Sequence, residues 1–98
     1  MRLLIAAIGK LKDPEERAIV ARYAKRLEGA GKSIALGPLE IVEFPESRAA
    51  GSGARKTEEA VRLLKAASAA DYIIALDVTG TALASETFAA RLARTRDD

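Results

Sequence analysis

Three groups of residues in this chain have types and spacings that could do chemistry. Gly29-Ala30-Gly31-Lys32-Ser33 reads like the close of a phosphate-binding loop. The full motif needs a glycine five positions before Gly31, where Arg26 stands. A phosphate loop also opens a helix after a strand, so that backbone N–H groups face the anion. These glycines instead follow a helical pattern and lead toward a strand, as a helix C-cap and turn would. Gly51-Ser52-Gly53 before Arg55-Lys56-Thr57 fails the spacing in the same way. Asp77 is the second candidate. A carboxylate just past a strand's carboxyl end can hold a metal, accept a phosphoryl group or face a cationic cofactor. It can equally shape the turn Asp77-Val78-Thr79-Gly80. A phosphoacceptor would need further acids after the first strand to hold a divalent cation, and Ile8-Gly9-Lys10 has none. The third group is the basic cluster Lys10, Lys12, Arg17, Arg22, Lys25 and Arg26, with Tyr23 among them. It reads either as a solvated helix face or as a surface for RNA phosphates, with Tyr23 and Tyr72 as packing or base-stacking rings.

Composition removes other chemistry. The 98 residues contain no Cys and no His, which excludes disulfides, thiolate nucleophiles and imidazole bases. Sixteen Lys/Arg against fourteen Asp/Glu leave a net charge of +2, too little to announce nucleic acid by itself. The charge is uneven. Residues 1–65 carry thirteen Lys/Arg and nine Asp/Glu, and residues 66–98 carry three and five. The first ten residues imitate a signal peptide, but their apolar run of six is too short and Lys10 follows at once. No stretch approaches the about 20 apolar residues of a membrane span. Together these features predict a soluble, cytoplasmic chain with no membrane partner.

The elements that must position these residues alternate. Residues 3–8 form an apolar run closed by Gly9, the pattern of a strand covered on both faces. Asp13-Pro14-Glu15-Glu16 predicts a helix start, with Asp13 as N-cap, Pro14 first in the helix and Glu16 closing a capping box. Ile19, Val20, Tyr23 and Leu27 follow at helical spacing, and Gly29 is expected as a left-handed stop. Residues 39–44 (LEIVEF) predict a second strand whose Glu40 and Glu43 suggest an edge or a wetter face. Residues 46–55 are small and glycine-rich, expected as a mobile loop. A second helix is expected from about Arg55 to Ala67, with Ala60, Val61, Leu64 and Ala67 on one side. Residues 72–76 (YIIAL) predict a third strand. Ser85 then caps a third helix with Phe88, Ala89 and Leu92 as its stripe. The order β-α-β-α-β-α without a hairpin signal predicts one α/β domain over residues 1–98, a Rossmann-like three-layer fold on a mainly parallel sheet.

Several of these residues, in this order, resemble a known family. Gly9-Lys10-Leu11-Lys12 follows the first strand, Tyr23-Ala24-Lys25-Arg26-Leu27 lies in the first helix, and Ala75-Leu76-Asp77 with Gly80 ends the third strand. Ser85 and Phe88-Ala89 open the last helix. Taken together they resemble the N-terminal part of the ribosomal RNA large subunit methyltransferase H family, SPOUT-class knotted enzymes. Thr81 stands where that family has lysine, and Ala84-Ser85 where it often has paired serines. The resemblance implies S-adenosylmethionine as cofactor, N3 of a pseudouridine in 23S rRNA as target, and a homo-oligomer. It places one cofactor contact on this chain, the backbone at Leu76. It assigns no catalytic residue and no metal ligand here, because the family's Gly-Gly loop, trefoil-knotted cofactor site and basic tail follow the segment matched. The chain alone is therefore expected to be inactive and not to bind the cofactor. The other reading is a non-catalytic α/β binding or assembly module.

Overall fold

The structure is a computed structural model that describes residues 1–97; Asp98, the last acidic residue of the sequence, lies outside the described residues. The order is β1 (Leu3–Ile8), α1 (Pro14–Gly31), a 3-10 turn (Lys32–Ile34), β2 (Leu39–Phe44), α2 (Ser52–Ala66) and α3 (Ser85–Asp97). Strands β1 and β2 pair in parallel, from Leu3 opposite Leu39 to Ile8 opposite Phe44. Both strands have the predicted bounds. Helix α1 lies against β2, and α2 against β1.

Helix α1 begins as its sequence dictates. Asp13 Oδ1 accepts from the N–H of Glu15 at 2.8 Å and of Glu16 at 3.4 Å, with Pro14 in the first turn. The reciprocal bond from Glu16, which would complete a capping box, is not formed. The helix ends later than predicted. Gly29 stays inside it, and the left-handed residue is Ala35, with φ 55° after the 3-10 turn. Gly31 is the position that demands glycine, because a Cβ there would lie 2.0 Å from the carbonyl oxygen of Leu36. The Leu36 N–H returns to Gly31 O at 2.9 Å, so this approach folds the chain back toward β2.

Four further expectations change. Residues 72–76 form no strand, so among the described residues the sheet has two strands, and the three-stranded Rossmann-like arrangement is not reached. A strand needs a neighbour for its N–H and C=O groups, and this segment stands apart from the β1–β2 ladder with Leu76 89% exposed. Helix α2 starts at Ser52 rather than near Arg55, and it is rotated from the predicted stripe. Leu63 and Ala66 are half-buried while Val61 and Leu64 face solvent. The stretch predicted as mobile is pinned at its start. Ser47 is buried, its N–H donates to Glu59 Oε2 at 3.0 Å, and its hydroxyl donates to Glu58. At α3, Ala84 rather than Ser85 holds the capping place, its carbonyl accepting from Phe88 N–H at 3.0 Å.

Among the described residues no apolar side chain is fully buried, and the radius of gyration is 15.1 Å. A compact domain of this length has about 13 Å. The excess accompanies apolar side chains left largely exposed, Ile73, Leu76 and Val78 among them. Among the described residues no helix is long and apolar enough to cross a membrane.

Two glycine substitutions in one helix should move stability in opposite directions. Gly29→Ala meets nothing within 4 Å and should stabilise by about 0.5–1 kcal/mol. Gly31→Ala drives a methyl into backbone and should cost about 1–3 kcal/mol. Urea titration by circular dichroism reads both; equal effects would mean the Gly31–Leu36 approach is not formed.

Candidate functional site

Parallel pairing brings the carboxyl ends of β1 and β2 together, and the best-defined polar structure is there. Gly9 adopts φ 89°, a left-handed conformation that suits glycine, and its N–H donates to Phe44 O at 2.6 Å. One residue later the chain leaves the ladder. Glu43, on β2 opposite Ala7, accepts from Leu11 N–H through Oε2 at 2.6 Å. Arg17, in the first turns of α1, donates from Nη1 to Leu11 O at 2.7 Å. An open, mainly apolar groove of about 480 Å³ lies alongside, lined by Ile5, Val20, Ile41, Leu11, Lys10 and Glu43 among others.

The basic cluster divides once its bonds are counted. Arg17 is occupied with Leu11. Arg26 sits 5.6 Å from the centroid of the Tyr23 ring, a cation–π arrangement on a ring that is itself exposed. Lys10, Lys12, Arg22 and Lys25 are exposed. The ion pair found among the described residues is Arg96–Asp97 at 2.8 Å, so these four cations are unpaired there.

The third-strand segment places its two candidates differently from a cofactor cleft. Asp77 Oδ1 accepts from the Thr79 N–H and from the Thr79 hydroxyl, each at 2.9 Å, and Gly80 N–H closes the turn on Asp77 O at 2.9 Å. That is the turn-shaping role. Among the described residues no group of three or more His, Cys, Asp or Glu that could hold a metal ion gathers, at Asp77 or elsewhere. The Thr79 backbone N–H first, and its hydroxyl second, hold the Asp77 carboxyl below its ordinary value. At Leu76 the backbone N–H and C=O enter no hydrogen bond among the described residues, but the side chain is exposed and does not line the groove beside β1 and β2. S-adenosylmethionine needs walls for its adenine and sulfonium ends, and these residues alone do not fit it.

Leu36, Ile34, Ala89, Leu92, Ala93 and Arg96 line a second, small apolar groove where α3 docks on the 3-10 turn. Arg96 Nη1 fastens it by donating to Ile34 O at 3.0 Å. Sequence reasoning missed the roles of Glu43 and Arg17. The available signal was a lone carboxylate near the carboxyl end of an apolar strand: in a parallel pair it stands beside the loop that leaves the neighbouring strand.

The Asp77 turn has a pH signature. A depressed carboxyl stabilises the turn above the ordinary aspartate range, and this contribution is lost as pH falls through the lowered value. Carbon-13 titration should find Asp77 titrating below the ordinary 3.8. Thr79→Val should return it only part way, because the larger, backbone bond remains; an Asp77 midpoint at or above the ordinary value would show the turn open.

Comparison with known proteins gives a consistent answer. The family described as predicted SPOUT methyltransferase matches residues 1–98. The chain is 45% identical over 97 residues to the ribosomal RNA large subunit methyltransferase H of Xanthobacter autotrophicus, covering 99% of this chain and 61% of that protein. Proteins of the same name from Rhodopseudomonas palustris and Brucella anthropi are 40% and 42% identical over 98 residues, 100% of this chain and 61% of each relative. The chain thus spans about 61% of the length of the curated relatives it matches. No solved structure matches it. With its α/β order, its parallel strand pair and a family match along its whole length, the chain belongs to the SPOUT methyltransferase family.

Proposed function

We propose that these residues are the N-terminal part of a cytoplasmic rRNA methyltransferase. In this reading the whole enzyme is a homodimer that transfers a methyl group from S-adenosylmethionine to N3 of a pseudouridine in 23S rRNA. The observation that carries the reading is the relatives' identity of 40–45% along essentially the whole chain. The exposed apolar segment at residues 72–76 supports it, since such a segment needs strands beside it that these residues do not supply. Within the whole enzyme the free backbone at Leu76 is one cofactor contact. The knotted cofactor site and the catalytic groups belong to the remaining part. Phosphate contacts come from the exposed cations after β1 and on α1. The chain alone is inactive, because one backbone edge encloses no ligand.

Two measurements test this. Calorimetry of the chain with S-adenosylmethionine should show no binding, whereas a micromolar dissociation constant, about −8 kcal/mol, would overturn the assignment of the site to the remaining part. The chain continued by the rest of the Xanthobacter autotrophicus relative should move radiolabel from S-adenosylmethionine into 23S rRNA. A folded chimera that transfers none, beside an active relative, would favour the non-catalytic binding module instead.

A further inference from the structure

Leu11 is held through both polar groups of its backbone. Glu43 accepts from its N–H across 32 residues of sequence, and Arg17, in the next helix, donates to its carbonyl. Both bonds are charge-assisted, about twice as strong as neutral ones. The half-buried Leu11 side chain lines the groove with Val20 and Ile41, so the loop is anchored on its inner side. Lys10 and Lys12, its immediate neighbours, remain exposed and unpaired among the described residues. Two charged side chains are thus committed to one backbone residue standing between two free cations.

We propose that Glu43 and Arg17 form a clamp that fixes Lys10 and Lys12 as a preorganised grip on RNA phosphates. The choice of RNA rests on the methyltransferase reading above; the clamp itself rests on the geometry. A loop ordered before binding does not have to be ordered during it, which raises affinity without a new contact. Fixed spacing suits the phosphates of a folded polyanion. A fluid membrane, whose headgroups rearrange around any cation, gains nothing from it. The contacts orient RNA without reading its sequence. Glu43 and Arg17 are positioning residues, and neither touches the ligand.

The clamp makes a prediction opposite in sign to simple charge. Removing a carboxylate beside two lysines should, by charge alone, tighten RNA binding. With the clamp, Glu43→Ala should weaken binding of a fluorescein-labelled RNA hairpin, followed by anisotropy, by roughly three- to tenfold. Glu43→Gln, whose Oε1 can still accept from Leu11 N–H, should bind at least as tightly as the parent. The exposed pair Lys10→Gln/Lys12→Gln should lose roughly tenfold and lower the salt slope by about two between roughly 50 and 200 mM. Circular dichroism checks each variant's fold, and if Glu43→Ala does not fold, the lysine pair decides. Equal or tighter binding by a folded Glu43→Ala overturns the clamp. So does an unchanged salt slope in the lysine pair, or capture of the chain by phosphatidylserine vesicles but not by RNA. Methyl transfer by the chimera alongside an unaltered lysine response removes the clamp and leaves the family reading. Clamp-dependent RNA binding with an inactive chimera does the reverse.

Discussion

The parallel, in-register pairing of β1 with β2 is the constraint on which the other features depend. Because Ile8 lies opposite Phe44, both strands release their chains at the same end. The loops at residues 9–13 and 45–50 therefore leave side by side, and short polar side chains can span them. Glu43 reaches Leu11, and Gly9 returns its N–H to Phe44 O. Arg62 of α2 donates to Pro45 O at 2.8 Å, while Glu58 and Glu59 hold Ser47. A shift by one residue would turn Glu43 to the other face of the sheet and detach the loop.

Polar fastening at the strand ends contrasts with the apolar packing elsewhere. Val61, Leu64, Ile73 and Leu76 are each at least 60% exposed. Full burial of one such side chain contributes about 1.5–3 kcal/mol, more than a typical net hydrogen bond at about 0.5–1.5 kcal/mol. The largest stabilising contributions open to this sequence are therefore not realised within these residues. What is realised suffices to order one loop and one helix start next to each other. That is the part of the molecule in which a ligand-facing role is best supported.

Local signals in the sequence were reliable wherever neighbouring residues alone decide the outcome. The bounds of β1 and β2 follow from apolar runs closed by Gly9 and Pro45, and Asp13-Pro14 marks the start of α1 without help from tertiary structure. Readings that depend on a distant partner went astray. Residues 72–76 have strand composition but no neighbour to pair with. The rotation of α2 was set by Glu59 and Arg62 bonding to residues 45–47, which a hydrophobic stripe does not encode. Gly29 resembled a helix stop, yet the controlling contact is Gly31 against Leu36 O. At the site, the cluster of cations was legible as composition, and Asp77 as a turn. That Arg17 and Glu43 are committed to Leu11 was hidden, because the bonds join residues 6 and 32 apart to a backbone carrying no sequence signal.

Amide hydrogen exchange followed by NMR tests the central claim, that one two-stranded ladder orders this chain while the third apolar segment stands unpaired. The amides of β1 and β2 that donate across the pair, with those of Gly9 and Leu11, should exchange slowly and as one unit. Those of Ile73, Ile74 and Leu76 should exchange near the rate of an unstructured peptide. Protection at Ile73 and Ile74 equal to that at Ile5 and Ala7, whose N–H groups face β2, would contradict the account, because it would place a third strand in the sheet.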